Sequence, residues 1–232
     1  MAKLFFTYGT GLSMYIPLGS GAATVLNPRR PVPEEMFQVI DRHRPTIFAA
    51  VPTMYVAMLQ IPDAARTYDL DSLRMCWSGG EALPPAIYRE WYDRFGLELL
   101  EMLGSSELIH AFCTTRPGMN RPGSIGIPVS GYELRVVDEA LRDISDGRPG
   151  RLMIAGPTVF AGYANRRERN QETFWGKWML SADTVRRDAE GIYWFVGRAD
   201  DMLKVGGALV SPIEIENVLV EHPAVLEAAV VG

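Results

Sequence analysis

Ser181-Ala182-Asp183-Thr184-Val185-Arg186-Arg187-Asp188-Ala189-Glu190-Gly191-Ile192-Tyr193-Trp194-Phe195-Val196-Gly197-Arg198, running on through Ala199 to Gly207, is the stretch whose reading decides the fold. Thr184–Arg187 and Ile192–Val196 alternate like the arms of a β-hairpin, and Asp188–Gly191 between them is rich in turn formers. Pairing Arg187 with Ile192 across the turn puts Asp183 opposite about Val196, within a residue or two of Arg198 along the same edge. A carboxylate accepts two hydrogen bonds and a guanidinium donates several in a fixed fork. Such a pair suits a vicinal diol, such as a ribose; the plainer reading is a surface ion pair.

Outward from the hairpin, composition sets limits. Of 232 residues, 47% are hydrophobic and 22% charged, an ordinary globular balance. The net charge of −5, without long basic runs, argues against nucleic acid or an anionic membrane as partner. Two cysteines, Cys76 and Cys113, make no disulfide framework and fit a reducing cytoplasm. No apolar run approaches the length of a membrane span, so no membrane insertion is expected.

The first hundred residues read as a parallel α/β layer. Helices are expected at Leu12–Leu18, from Pro33 to Pro45 with Met36, Phe37 and Ile40 on one face, from Pro52 with Tyr55, Met58 and Leu59, and from Pro84-Pro85 with Ile87, Trp91 and Phe95. Strands are expected at Ala22–Leu26, Ile47–Val51 (buried on both faces), Leu73–Trp77 and Leu97–Leu100. The alternation implies right-handed crossovers and a doubly wound sheet, with ligands at the carboxyl ends of the strands.

Two loops fall at those ends. Ser78-Gly79-Gly80-Glu81-Ala82-Leu83 allows close backbone approach to a flat ligand, or is a plain strand-to-helix turn. Leu103-Gly104-Ser105-Ser106-Glu107 brings hydroxyls and a carboxylate, groups that suit phosphate with a hard cation; equally, it reads as a capped helix N-terminus. From Arg121 the period shortens. Strands at Tyr132–Asp138, Arg151–Ala155 and Trp178–Leu180 lead into the hairpin and suit a small antiparallel barrel or sheet. Beyond it, Ser211-Pro212-Ile213-Glu214 is a capping box for a helix bearing Ile215, Val218 and Leu219, and Val225–Val231 is an apolar strand candidate. His43 and His222, each at a helix end beside a proline, read as structural.

Gly197-Arg198-Ala199-Asp200-Asp201-Met202-Leu203-Lys204-Val205-Gly206-Gly207 resembles the hinge motif of the adenylate-forming superfamily, and the chain is most similar to its benzoate-CoA ligase group. The resemblance runs the whole length. It implies a parallel doubly wound subdomain at 1–113, an antiparallel β-barrel subdomain at 114–199, and a hinge with the start of a small C-terminal α+β domain at 200–232. It implies that Gly80, Glu81 and Ala82 bind adenine, that Leu103, Gly104, Ser105 and Ser106 line the nucleotide site, and that Ser106 touches the α-phosphate while Glu107 holds Mg²⁺. Asp183 and Arg198 would hold the ribose of ATP or AMP, Asp200 would be the hinge, Lys204 would act in catalysis, and Gly206 and Gly207 would line the CoA tunnel. Gly156–Tyr163 matches the family's Gly-Tyr loop. Tyr8, Ser78, Gly79 and His110 would form the acid pocket, with His110 on the same helical face as Glu107. Leu103 replaces the usual aromatic, so adenine stacking is expected to be weaker or differently made, and Ser181-Ala182-Asp183 replaces the usual Thr-Gly-Asp, so a different local turn is expected there.

The implied reaction has two halves: a carboxylate attacks the α-phosphate of Mg·ATP to give acyl-AMP and pyrophosphate, then CoA displaces AMP. The substrate expected is a small aromatic acid close to benzoate. The family's Ser/Thr/Gly-rich phosphate loop and terminal catalytic lysine have no counterpart here, where the lysines are Lys3, Lys177 and Lys204. The chain therefore reads as an internal fragment, inactive alone. An adenylation domain loading a carrier protein shares every motif, and a non-catalytic nucleotide-binding module is a third reading.

Overall fold

The computed structural model describes residues 3–205, 208–222 and 224–231. The chain divides into two compact units, Met1–Ala111 with Thr115–Pro122, and Phe112–Thr114 with Gly123–Gly232.

The first unit starts with α1 (Thr7–Thr10), a π-helical turn over Gly11–Tyr15, and α2 (Ile16–Ser20), which stops at Gly21 in the left-handed region. The helix expected at Leu12–Leu18 thus begins five residues earlier. Ala22–Leu26 is not the expected buried strand: it is irregular and mostly exposed. Extended backbone is stabilised by a ladder, and no described strand offers it one.

Helix α3 (Pro33–His43) follows the expectation closely. Proline in the first turn has no N–H to leave unpaired, Glu34 and Glu35 sit at the positive end of the dipole, and Met36, Phe37 and Ile40 are buried. Then come β1 (Ile47–Ala50), α4 (Pro52–Leu59), α5 (Ala64–Thr67), β2 (Met75–Gly79), α6 (Pro85–Phe95) and β3 (Leu99–Gly104). The three strands are parallel, with Phe48, Cys76 and Leu99 side by side in register and Ala50, Ser78 and Glu101 the next row on the same face. The first row packs into the main core with Met36, Phe37, Ile40, Tyr55, Met58 and Trp91. Tyr55 meets Trp91 edge to face at 4.8 Å, the favoured geometry for two ring quadrupoles. Ile47 is 45% exposed, so β1 is not buried on both faces as expected.

Strands β2 and β3 start two residues later than their apolar runs suggest, and they extend further. Leu73 and Leu97 pack on the approaches, whereas Ser78-Gly79 and Glu101–Gly104 are inside the strands. Ladder bonds are made by backbone, so a polar or small side chain does not end a strand.

The second unit is antiparallel. Strand β4 (Ala111–Thr114) pairs β5 (Ile127–Pro128). A curled half-barrel sheet holds β6 (Glu133–Val137) and β7 (Gly150–Ala155); after α7 (Arg167–Thr173) come β8 (Phe174–Trp175), β9 (Trp178–Arg187) and β10 (Tyr193–Arg198). The order is β10-β9-β7-β6, with β8 on β9. The two short strands expected at Trp178–Leu180 and Thr184–Arg187 are one continuous β9. No turn interrupts it at Ala182, which does not take a positive φ.

Past the sheet, β11 (Leu203–Val205) pairs β12 (Ala208–Val210), and α8 (Pro212–Leu219) is capped by Ser211, whose hydroxyl accepts from the Glu214 N–H at 3.3 Å. Val225–Val231 is not the expected strand. Its described residues are irregular, again with no described ladder, and the Val230 N–H donates instead to Glu216 Oε1.

Candidate active site

The hairpin turn is organised by Asp188. Its Oδ1 accepts from the N–H groups of Glu190 and Ile192, its Oδ2 accepts from the Trp194 indole, and Gly191 takes φ 83°. This closes a five-residue loop, so Arg187 pairs Tyr193, one residue beyond the expected Ile192. A β-bulge between Phe195 and Gly197 then shifts the register by one more. Asp183 therefore lies directly opposite Arg198, where the sequence placed it opposite about Val196.

Asp183 is 8% exposed. Its Oδ1 is 3.5 Å from Arg198 Nη1, its Oδ2 accepts from the Ser181 hydroxyl at 3.1 Å, and its own N–H donates back to Ser181 Oγ at 2.9 Å. Arg151 in turn holds the Ser181 carbonyl through Nε and Nη2. Ser181 and Arg151 brace Asp183 and were not among the expected site residues. The only sign of Ser181 was a hydroxyl kept where the family has Thr.

In the first unit, Gly79 ends β2 and Gly80 turns at φ 93°, leaving Glu81 exposed and burying Leu83. Leu103 and Gly104 end β3, and Ser106–Leu108 is a single 3₁₀ turn. Ser105 sits at its start without capping it, and its hydroxyl is buried with no partner among the described residues. The expected helix N-terminus is therefore absent. Ile109 at φ 69° breaks the chain away, so His110 does not share a helical face with Glu107. The i, i+3 argument needed a helix that a positive-φ residue forecloses.

His110 meets Tyr8 another way. Burial holds the pKa of its imidazole below the ordinary value, with the Tyr8 backbone pulling the other way, and its Nε2 is buried with no partner among the described residues. The ring lies so close to Gly11 that an added β-carbon there would stand 2.0 Å from Cδ2. The Tyr8 and His110 centroids are 6.3 Å apart. A β-carbon on Gly79 would meet Met102 at 2.9 Å and Tyr8 at 3.5 Å. Tyr8, Gly11, Gly79, Met102 and His110 thus form one cluster. The Tyr8 hydroxyl faces the carbonyls of Ala50 (3.1 Å) and Trp77 (3.2 Å), and burial raises its pKa. The ring is pinned by its hydroxyl and offers neighbours its apolar faces. Ser78 is fully buried on the opposite face of β2 from Gly79, in the row with Ala50 and Glu101.

Asp200 is exposed in the turn after β10, and Lys204 pairs Leu209 through backbone. Gly206 and Gly207 lie outside the described residues. Among the described residues there is no group of three or more acidic, cysteine or histidine side chains placed to hold a metal, and no helix long and apolar enough to cross a membrane.

The structure thus presents an Asp–Arg pair on an antiparallel sheet and two loops at the ends of parallel strands. The chain belongs to the AMP-binding enzyme family, whose pattern it matches over residues 1–164. Among curated proteins it is similar to a benzoate-CoA ligase of Thauera aromatica, 47% identical over all 232 residues, and to a 4-hydroxybenzoate-CoA/benzoate-CoA ligase of Rhodopseudomonas palustris, 45% identical over 99% of the chain. Among solved structures it is similar to an anthranilate CoA ligase in complex with anthranoyl-AMP (TM-score 0.94, 44% identity, 100% of this chain and 45% of that one). A benzoate CoA ligase from Burkholderia xenovorans gives TM-score 0.92 at 45% identity, over 100% and 46%. The chain spans 44% and 43% of the two curated relatives' lengths.

Proposed function

We propose that the chain is part of an AMP-forming acid-CoA ligase acting on a small aromatic carboxylic acid. The observation that carries this is the Asp183–Arg198 clamp, squared by the bulge in a chain of this family. Asp183 accepts from the ribose hydroxyls and Arg198 supplies donors beside it. Gly80–Ala82 lie along the adenine, as do Leu103 and Gly104, and Ser105 and Ser106 face the phosphates. Glu107 would hold Mg²⁺. One carboxylate with substrate phosphate is the donor set that ion commonly takes. Bound there, the ion supplies positive charge to the α-phosphate.

The acid ring sits against Tyr8, Gly79 and His110, where two flat rings and a position without a side chain suit an aromatic acid. Ser78 contributes backbone to this wall, because its side chain is on the other face. Lys204 acts in catalysis, the chain rotates at Asp200, and Gly206 and Gly207 pass the CoA arm. The three-part division at 113 and 199 goes with that rotation. The relatives' names favour CoA over a carrier protein as acceptor.

The test is to place these 232 residues in the matching stretch of the Thauera benzoate-CoA ligase and measure kcat/KM for benzoate, hexanoate and decanoate. Benzoate is expected to lead. Decanoate leading would refute the aryl slot.

A further inference from the structure

Glu101 belongs to none of the motifs above, yet it is the most unusual polar group in the first unit. It stands in the middle of β3 and is 4% exposed. Its Oε1 accepts from the Leu83 N–H at 3.0 Å, eighteen residues away, at the end of the Gly80–Ala82 segment. Its backbone is fixed too: the Glu101 N–H donates to Thr115 Oγ1 at 2.7 Å, and its carbonyl accepts from the Thr115 N–H at 2.9 Å. Ser78, its register partner on β2, is fully buried on the same face.

An ionised carboxylate at such a place costs several kcal/mol to bury. Burial accordingly raises the Glu101 pKa to about 8, although the Leu83 bond pulls the other way. A leucine or methionine would fill the site without that cost, so packing alone does not account for a glutamate. What the carboxyl adds is an acceptor in a fixed position for one backbone N–H, in the loop that turns at Gly80.

We propose that Glu101 is the positioning residue of the Gly80–Leu83 loop: strand β3 holds the carboxyl rigidly, and the carboxyl holds the Leu83 N–H, fixing the backbone beside which adenine binds. The adenine clause rests on the nucleotide reading above; the anchoring clause stands without it. Because the Leu103–Glu107 segment starts at the end of β3, one strand sets the positions of both loops.

The anchoring is read in the chain itself by hydrogen exchange of backbone amides, with AMP titrated afterwards. In the wild type the Leu83 amide is expected to be protected; an unprotected Leu83 overturns the proposal before any variant is made. Glu101→Leu is expected to speed exchange at residues 80–83 by about tenfold, the loss of one buried hydrogen bond, while β1 and β2 keep their protection. Glu101→Gln retains an acceptor oxygen and is expected to restore wild-type exchange at Leu83. If Gln loosens the loop as much as Leu, or if Leu loosens the whole sheet equally, Glu101 is not an anchor of this loop. AMP affinity should follow the same order, wild type and Gln above Leu. Wild type that anchors the loop but binds no AMP would sink the nucleotide reading and leave the anchor standing.

Discussion

Asp183 is held from two sides, by Ser181 at one oxygen and Arg198 at the other, in a nearly buried position. The ion pair itself is long and half of Arg198 is in water, so it adds little to stability. Its value lies in orientation. Asp183→Ala is expected to weaken AMP binding by about 1.5–3 kcal/mol, the worth of charge-assisted hydrogen bonds, with a smaller change in Tm; affinity within twofold of wild type would remove the ribose assignment. Gly11→Ala tests the acid pocket. The new β-carbon overlaps His110 at 2.0 Å, so the imidazole must move, at about 1–3 kcal/mol for overpacking. Thermal unfolding should fall, and the Tyr8–His110 spacing seen by NMR should change. Glu101 gives a pH test. Its folded pKa, about 8, is above the unfolded value of about 4.3, so the folded state binds a proton that the unfolded state has lost. Stability from this group is complete below about 4.3 and drains as pH rises toward 8. His110 has the opposite sign but acts below its ordinary value near 6.5. Between pH 7 and 8, then, unfolding free energy should fall with pH in wild type and more weakly in Glu101→Gln; equal slopes would refute the raised pKa.

The hairpin shows what sequence pattern conveys about an element and what it withholds. Arms, turn and the nearness of Asp183 to Arg198 were legible, because alternation and turn formers are local. The register was not. It depends on how Asp188 closes the turn and on an extra residue in β10, and the one sign of that bulge was a glycine inside a strand. Helices α3, α4 and α6 were readable for the same local reason: a proline start and an apolar stripe each point to one structure. The strands expected at Ala22–Leu26 and Val225–Val231 failed because a strand exists only with a neighbour, which composition cannot supply. His110 failed as a helical neighbour of Glu107 yet joined Tyr8 by a route through Gly11 that no spacing encodes. Gly197 is the element's weak point. It sits at φ 155°, and a β-carbon there would meet Met202 Sδ at 3.2 Å. Gly197→Val should cost about 1–3 kcal/mol in stability through backbone strain, and AMP affinity should drop with it because the bulge sets Arg198 opposite Asp183. A valine variant with native stability and affinity would show that the bulge tolerates a side chain and does not depend on this glycine.

Residues with proposed nucleotide roles come from both units: Gly80–Ala82, Ser106 and Glu107 from the first, Asp183 and Arg198 from the second. On that proposal the chain would supply groups for adenine, ribose, α-phosphate and metal, which a binding experiment with AMP tests directly. Forming acyl-AMP asks for more. Charge on the β- and γ-phosphates and on the pentacoordinate phosphorus has to be met by positively charged and N–H groups as it develops, and losing one such donor costs about 3–4 kcal/mol. No Ser/Thr/Gly-rich loop ending in lysine occurs in these 232 residues, and neither Lys3, Lys177 nor Lys204 stands in the context of the family's terminal lysine. The chain matches 44% of the Thauera ligase, and the rest of that ligase's length has no counterpart in it. We expect the isolated chain to bind AMP but to catalyse no ATP–pyrophosphate exchange with benzoate above a protein-free blank. The same residues set into the Thauera ligase should exchange readily. That pairing separates two causes of silence: a chimera that is also silent points to these residues being unable to support the reaction, whereas an active chimera assigns the silence to what the isolated chain lacks. Exchange by the isolated chain would show that the transition state is stabilised by groups already among these residues, with Lys204 the first to mutate.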